Sequence, residues 1–284
     1  MFSSYGNRWV VHLSAMLKKL LPLFIISTVW ACIIYAFIFF GNIDFTPAAI
    51  PVKSTAVKLP NAVWYRKVTD IPPPDGYTIL SEQKTSFGNY LQQLPLKKDP
   101  MVYLFNGDKK KNQAAQFAVI NISVGKENLQ QCADAVMRLW AEYWWERGEA
   151  GNIFFKDNNG KKYKTTNNVS RTQFDRFLSS VFGMCGSYSL SQQLKTVPFK
   201  EMKIGDVLIR GGFPGHAVIV VNMAENKLSK KRVYMLAQSY MPAQDIHILR
   251  NYLQPEIPWY NLNDESIIYT PEYVFKNVEL KRFL

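Results

Sequence analysis

Three cysteines, Cys32, Cys132 and Cys185, and three histidines, His12, His216 and His247, are the scarce reactive residues of this 284-residue chain. A thiol becomes a useful nucleophile when its pKa is lowered, and the two common devices are a helix amino terminus and a nearby imidazolium. Cys132, in QQCADAV, falls in the first turns of an expected long helix and on its apolar face, because Cys132, Val136, Leu139, Trp140 and Tyr143 recur at helical spacing. His216, in GGFPGHAVIVVN, stands at the head of an apolar strand after a glycine-rich approach that leaves room beside the ring. The expected chemistry is attack on a carbonyl by Cys132 with His216 as base. A third polar group must orient the imidazole. Gln238, at the end of the next strand, is the expected residue, and an unfixed register leaves Ser239, Asn222 and the more distant Gln244 as alternatives.

The competing readings are structural. Cys132 would then be a small buried residue behind Val136 and Trp140, and His216 a strand-start histidine bonded to a carbonyl. In an exported domain, Cys132 and Cys185 would pair as a disulfide. His247, between two isoleucines in DIHIL, is expected on the surface. Asp134, Arg138 and Glu142 share one helical row and should form a salt-bridged face. The functional alternative gives Arg138, with Gln131 beside the thiol, a part in positioning substrate or oxyanion.

The elements that must hold these residues can be read in order. SFGNYLQQL, Ser86 to Leu94, is a short helix with a serine cap, stopped by Pro95. Val102 to Phe105 and Phe117 to Val124 read as strands. The helix carrying Cys132 is expected from a cap at Asn128 to a stop at Gly148. A turn-rich hairpin follows Phe155, then a helix over TQFDRFLSSVFGM. Strands are expected at Asp206–Arg210, His216–Val221, Arg232–Ser239 and Asp245–Leu249. Helices first and strands later is the order of an α+β domain.

The amino terminus is a separate object. Leu20 to Phe40 runs 21 residues without a charge, and at about 1.5 Å per residue this crosses the roughly 30 Å hydrocarbon layer. Arg8, Lys18 and Lys19 precede it with no acid, which favours an inside amino terminus and an exported remainder. The run is too long for a cleaved signal peptide, and no small-residue cleavage site closes it. The expected organisation is a cytoplasmic tail over 1–19, a transmembrane signal anchor over 20–41, a proline-containing linker over 42–75 and an α+β domain over 76–284. The protein would be single-pass in the cytoplasmic (inner) membrane, with its domain on the periplasmic side.

The formal charge is +12, much of it in clusters such as Lys109 to Lys111 and Lys230 to Arg232. Those are solvated loops or a means of attraction to an anionic envelope polymer. Nucleic acid is not expected as a partner, since no binding motif is present. No G-x-S-x-G, P-loop or dinucleotide fingerprint occurs. No close pairing of cysteine and histidine suits a metal, so neither metal nor cofactor is expected. A paired-carboxylate mechanism has no distinguishing spacing in this chain.

The order of Cys132 at a helix start, Gly205-Asp206 in KIGDVLI and Gly215-His216 in PGHAVIVV resembles the NlpC-type and CHAP-type members of the papain-like superfamily, which are cell-wall peptidases and amidases. The resemblance implies a helix packed on an antiparallel sheet, Cys132 as nucleophile, His216 as base and a mainly structural Asp206. It differs in that helical residues are expected ahead of the cysteine. The region from Gly76 onward also resembles a bacterial family known as domain of unknown function 4846. SFGNYLQQLPL, LQQCADAVMRLWAEYW, PGHAVIVV, LAQSYMPAQDIHIL and LKRFL carry that likeness. The expected function is that of an anchored envelope protein that hydrolyses amides by a cysteine thiolate, with peptidoglycan as the expected polymer. The alternative is a non-catalytic module of the same fold that binds peptide, glycan or lipid.

Overall fold

In the computed structural model of the protein, the described residues are 64 to 284 other than Asp264. The expected tail, anchor and most of the linker lie outside the described residues. Among the described residues, no helix is long and apolar enough to cross a membrane. Among the described residues, four α-helices and thirteen strands follow one another in chain order. β1 (Tyr77–Ile79) leads to α1 (Phe87–Gln93), β2 (Gln116–Val119) and α2 (Cys132–Glu146). The hairpin β3 (Phe154–Lys156) and β4 (Lys162–Lys164) precedes α3 (Arg171–Met184) and α4 (Ser187–Gln193). Then come β5 (Lys195–Thr196), β6 (Val207–Arg210), β7 (His216–Asn226), β8 (Arg232–Gln238) and β9 (His247–Leu249). The chain closes with β10 (Trp259–Leu262), β11 (Ile267–Tyr269), β12 (Val274–Lys276) and β13 (Leu280–Arg282). The α+β reading holds.

Nine strands form one antiparallel sheet along the path β2-β9-β8-β7-β6-β13-β5, with β1 joined to β7 and β10 to β8. β7 is its spine. Val and Ile dominate it, and His216 to Ala224 are all buried, so both of its faces are covered. The helix α2 packs against it. A register shift between Val220 and Asn222 bends β7, and its edge is shared by β6 near His216 and β1 near Asn226.

Three expectations about the frame are corrected. The folded body reaches back beyond Gly76, because Val68 and Ile71, read as linker, sit in the core. Val102 to Phe105 is not a strand but makes isolated bridges, Tyr103 to Lys109 and Leu104 to Gln244. The helix carrying the thiol begins at Cys132, not after Asn128. Asn128 cannot cap it, since its Oδ1 accepts the Ala243 N–H at 2.8 Å. Gln131 is the extended cap residue instead, and its N–H donates to Asp134 Oδ2 at 3.0 Å. The cysteine therefore follows a loop directly.

Candidate functional site around Cys132 and His216

His216 opens β7 opposite Arg210, the last residue of β6, and the five residues between them make a tight connection. Gly211 and Gly215 serve close packing, and Gly212 supplies a positive φ of +106°. A Cβ on Gly215 would collide with Ser187 Oγ at the start of α4 and with the Gly212 and Arg210 carbonyls. The imidazole is enclosed by Tyr240, Tyr273 and Phe275, with ring centroids 4.9, 5.0 and 5.8 Å away. The room expected beside the ring is filled. Tyr273 also donates its hydroxyl to the Pro214 carbonyl, so the same aromatic residue braces the loop and the ring.

Register decides the third residue. β8 runs antiparallel to β7 and ends at Gln238, whose Oε1 lies 2.8 Å from His216 Nε2. Ser239 and Asn222 are engaged elsewhere, and Gln244 Nε2 is buried without a hydrogen-bond partner among the described residues. Ser239 Oγ donates to the carbonyls of Gln130 and Gln244, and Asn222 Oδ1 accepts from Gln92 Nε2 and Met223 N–H. The Ser239 bond matters for the thiol. It ties the loop that leads into Cys132 to the end of the strand that carries Gln238.

The polar chain continues inward. Gln238 Nε2 donates to Glu272 Oε2 at 2.7 Å and lies 3.4 Å from His247 Nε2. Glu272 also receives Lys110 Nζ at 2.6 Å and Asn112 Nδ2 at 3.1 Å. His247, expected on the surface, is fully buried, and its Nδ1 is 2.9 Å from the Asp245 carbonyl. The alternation argument failed because β9 lies between β2 and β8 and both of its faces are covered. Glu272 and Lys110 were missed as well. Neither lies near the motifs in sequence, and KKK reads as a solvated turn, yet Lys110 is only 6% exposed.

Cys132 lies on the other side, at the first residue of α2. Burial pushes its thiol up to about 11, and the Asp134 charge pushes the same way. The N–H groups of Ala133, of Ala217 next to His216, and of Cys132 itself act in the opposite direction. Sγ is therefore beside the strand that carries the histidine. Desolvation outweighs the helix end, so the expected lowered thiol is corrected to a raised one. His216 is driven down to about 4, mainly by burial, with Lys110 adding to the effect and the Gln238 bond opposing it. At neutral pH the two groups are a neutral thiol and a neutral imidazole. Cys132 is 9% exposed and His216 1%, so the groove is closed over them rather than open to solvent.

Both Cys132 and Cys185 are free thiols, which removes the expected disulfide. Cys185 is the C-cap residue of α3, and its thiol is also raised to about 11 by burial, then by Asp157 and Asp134. Asp206 has the structural place implied for it, held by Arg282 at 2.6 and 2.7 Å and by the Lys203 N–H. Gln131 turns its amide back to Asn128, at 3.3 and 3.4 Å. Arg138 pairs with Glu142 at 2.7 Å and Gln130 at 3.1 Å, while Asp134 stays out of that row. An open cleft of about 500 Å³ is lined by Arg138, Gln130, Lys126, Leu178 and Phe182 among others. Among the described residues, no three His, Cys, Asp or Glu side chains are grouped to hold a metal ion.

These features define an α+β domain in which a helix-start cysteine lies beside the strand that opens with a histidine held by a glutamine. The family model for the domain of unknown function (4846) matches residues 68–167 and 158–282, and the chain belongs to that family. Comparison with curated proteins and with solved structures gives no match.

Proposed function

We propose that the protein is a cysteine-dependent amide hydrolase of papain-like architecture, held at the cell envelope by residues 20–41 and acting on peptide links such as those of peptidoglycan. One observation carries this reading: the 2.8 Å His216 to Gln238 bond on strands packed against the helix that begins with Cys132. His216 Nδ1 takes the proton from the thiol as Sγ bonds to the carbonyl carbon. The imidazolium returns that proton to the leaving amine as the C–N bond breaks. Water then adds to the thioester through the same nitrogen, releasing the acid and restoring the thiol. The N–H groups of Cys132 and Ala133, which point at the sulfur from the helix start, would turn to the developing oxyanion.

The neutral resting pair makes this a base-assisted mechanism without a preformed thiolate. Tyr240, half-buried after β8 and next to exposed Met241, is the group that must move to admit a carbonyl. The same closure supports a second reading, in which the domain binds envelope polymer without cleaving it.

The two readings part on acylation of the full chain by p-nitrophenyl acetate, followed by mass spectrometry. Hydrolysis by the proposed pair predicts an acyl adduct confined to Cys132, absent in C132A. It should be lowered on the order of 100-fold in H216A, the usual contribution of general base catalysis. A thiol that reacts only as its own anion forms, with a rate rising toward pH 11 and indifferent to H216A, would leave the binding reading.

A further inference from the structure

We infer that His247 and Glu272 act as positioning residues that lock the Gln238 amide, and through it hold His216 in the tautomer whose Nδ1 is free to accept a proton. The inference rests on the proposed hydrolase for its purpose, but its geometry stands independently. The Asp245 carbonyl can only accept, so His247 Nδ1, 2.9 Å from it, carries the hydrogen. His247 Nε2 is then a lone-pair nitrogen facing Gln238. The Glu272 carboxylate, paired with Lys110 at 2.6 Å, is an acceptor too.

Two acceptors therefore converge on one end of the Gln238 amide, which must be its NH2 group, at 3.4 and 2.7 Å. Its oxygen is left facing His216 Nε2 at 2.8 Å. An oxygen there requires the hydrogen on Nε2, and Nδ1 becomes the base. Glutamine alone could not enforce this, because a flipped amide would donate to Nε2 and place the hydrogen on Nδ1, where it would block proton transfer. The second histidine, with no part in bond breaking, thus determines which nitrogen of the first is basic.

The test is nitrogen-15 NMR of the full chain labelled at histidine, with signals assigned through the H12Q and H216N variants. The expected result is opposite tautomers at the two buried rings, hydrogen on Nε2 in His216 and on Nδ1 in His247. Any other combination overturns the inference. Glu272→Gln keeps one oxygen able to accept from both Lys110 and Gln238, and should preserve the pattern. K110M/E272L/H247F removes both acceptors together with the lysine charge, and should leave His216 a mixture of tautomers with Cys132 acylation lowered about twofold if the two are equally populated. A single unchanged His216 tautomer in a folded triple variant refutes the lock. Failure of the hydrolase reading shows differently, as acylation indifferent to H216A while both tautomers stay as described.

Discussion

On the strand side of the site each ionisable or amide group ends on a partner, from Lys110 through Glu272 and Gln238 to His216. On the helix side burial acts on both Cys132 and Asp134, and the Asp134 charge, once formed, pushes the thiol further up. Burial raises the Asp134 carboxyl to about 8, and among the described residues its Oδ1 is buried without a hydrogen-bond partner. The first arrangement fixes geometry. The second keeps protons on acids that would otherwise lose them. In the proposed hydrolase, this arrangement would hold the base in place while the nucleophile stays masked, so reactivity would depend on what displaces the cover rather than on the resting charges.

The largest expected effect comes from breaking the strand side at its charged end. Lys110 and Glu272 are both nearly buried, with side chains 6% and 11% exposed. Lys110→Met leaves the Glu272 carboxylate without its cation in a poor solvent, and should cost about 3–5 kcal/mol in denaturant unfolding. Arg147→Met, which disrupts the more exposed pair with Glu149, should cost under about 1 kcal/mol. Equal losses for the two variants would remove the contrast between a buried relay and ordinary surface pairing.

Acid should expose the same asymmetry somewhat more gently. The folded His216 binds its proton near 4, whereas the unfolded side chain does so near 6.5. Between those values the unfolded chain holds more protons, so stability is present above about 6.5 and is lost as pH falls toward 4. The shift corresponds to about 3 kcal/mol. His247, lowered well below its ordinary value by burial and by Lys110, acts in the same direction. Asp134 acts oppositely, since its raised carboxyl loses stability as pH rises toward 8. Because Asp134 offsets this loss in wild type, the check is the difference between wild type and His216→Asn: unfolding free energies whose pH dependence from 7 to 4 is the same in both would contradict a buried, neutral imidazole at 216.

The sequence carried more of the strand side than of its inner supports. HAVIVV and RVYMLAQ are strongly patterned, and the loop between them is short, so antiparallel pairing could be read and Gln238 placed beside His216. Asp206 likewise sits where a G-D strand start suggests. His247 and Glu272 were out of reach because their importance arises from long-range pairing. β9 is flanked by the nearby β8 and by β2, which lies more than a hundred residues earlier in the chain, and Glu272 reaches Gln238 across 34 residues of chain. Proximity of Cys132 to the β7 strand was legible, but its protonation was not. A helix start argues for a lowered thiol, and only the packed surroundings reveal that burial wins. The strands β11 to β13 near the carboxyl terminus, three residues each, were too short to stand out.

The smallest effect would sharpen the helix side. Asp134 holds the start of α2 through one oxygen, which accepts the Gln131 N–H at 3.0 Å, and an asparagine can make the same bond with its carbonyl. Asp134→Asn should therefore keep the helix start while removing the charge that, after burial, does most to raise the Cys132 thiol. The carboxyl ionises near 8 and the thiol near 11, so the influence is felt only above pH 8. Iodoacetamide labelling of Cys132 at pH 9 should rise roughly two- to threefold in the variant, a few tenths of a pKa unit in the thiol. At pH 6, where wild-type Asp134 is already neutral, the two proteins should label alike. A difference at pH 6 equal to that at pH 9 would mean the substitution had loosened the packing over the sulfur instead of removing a charge beside it.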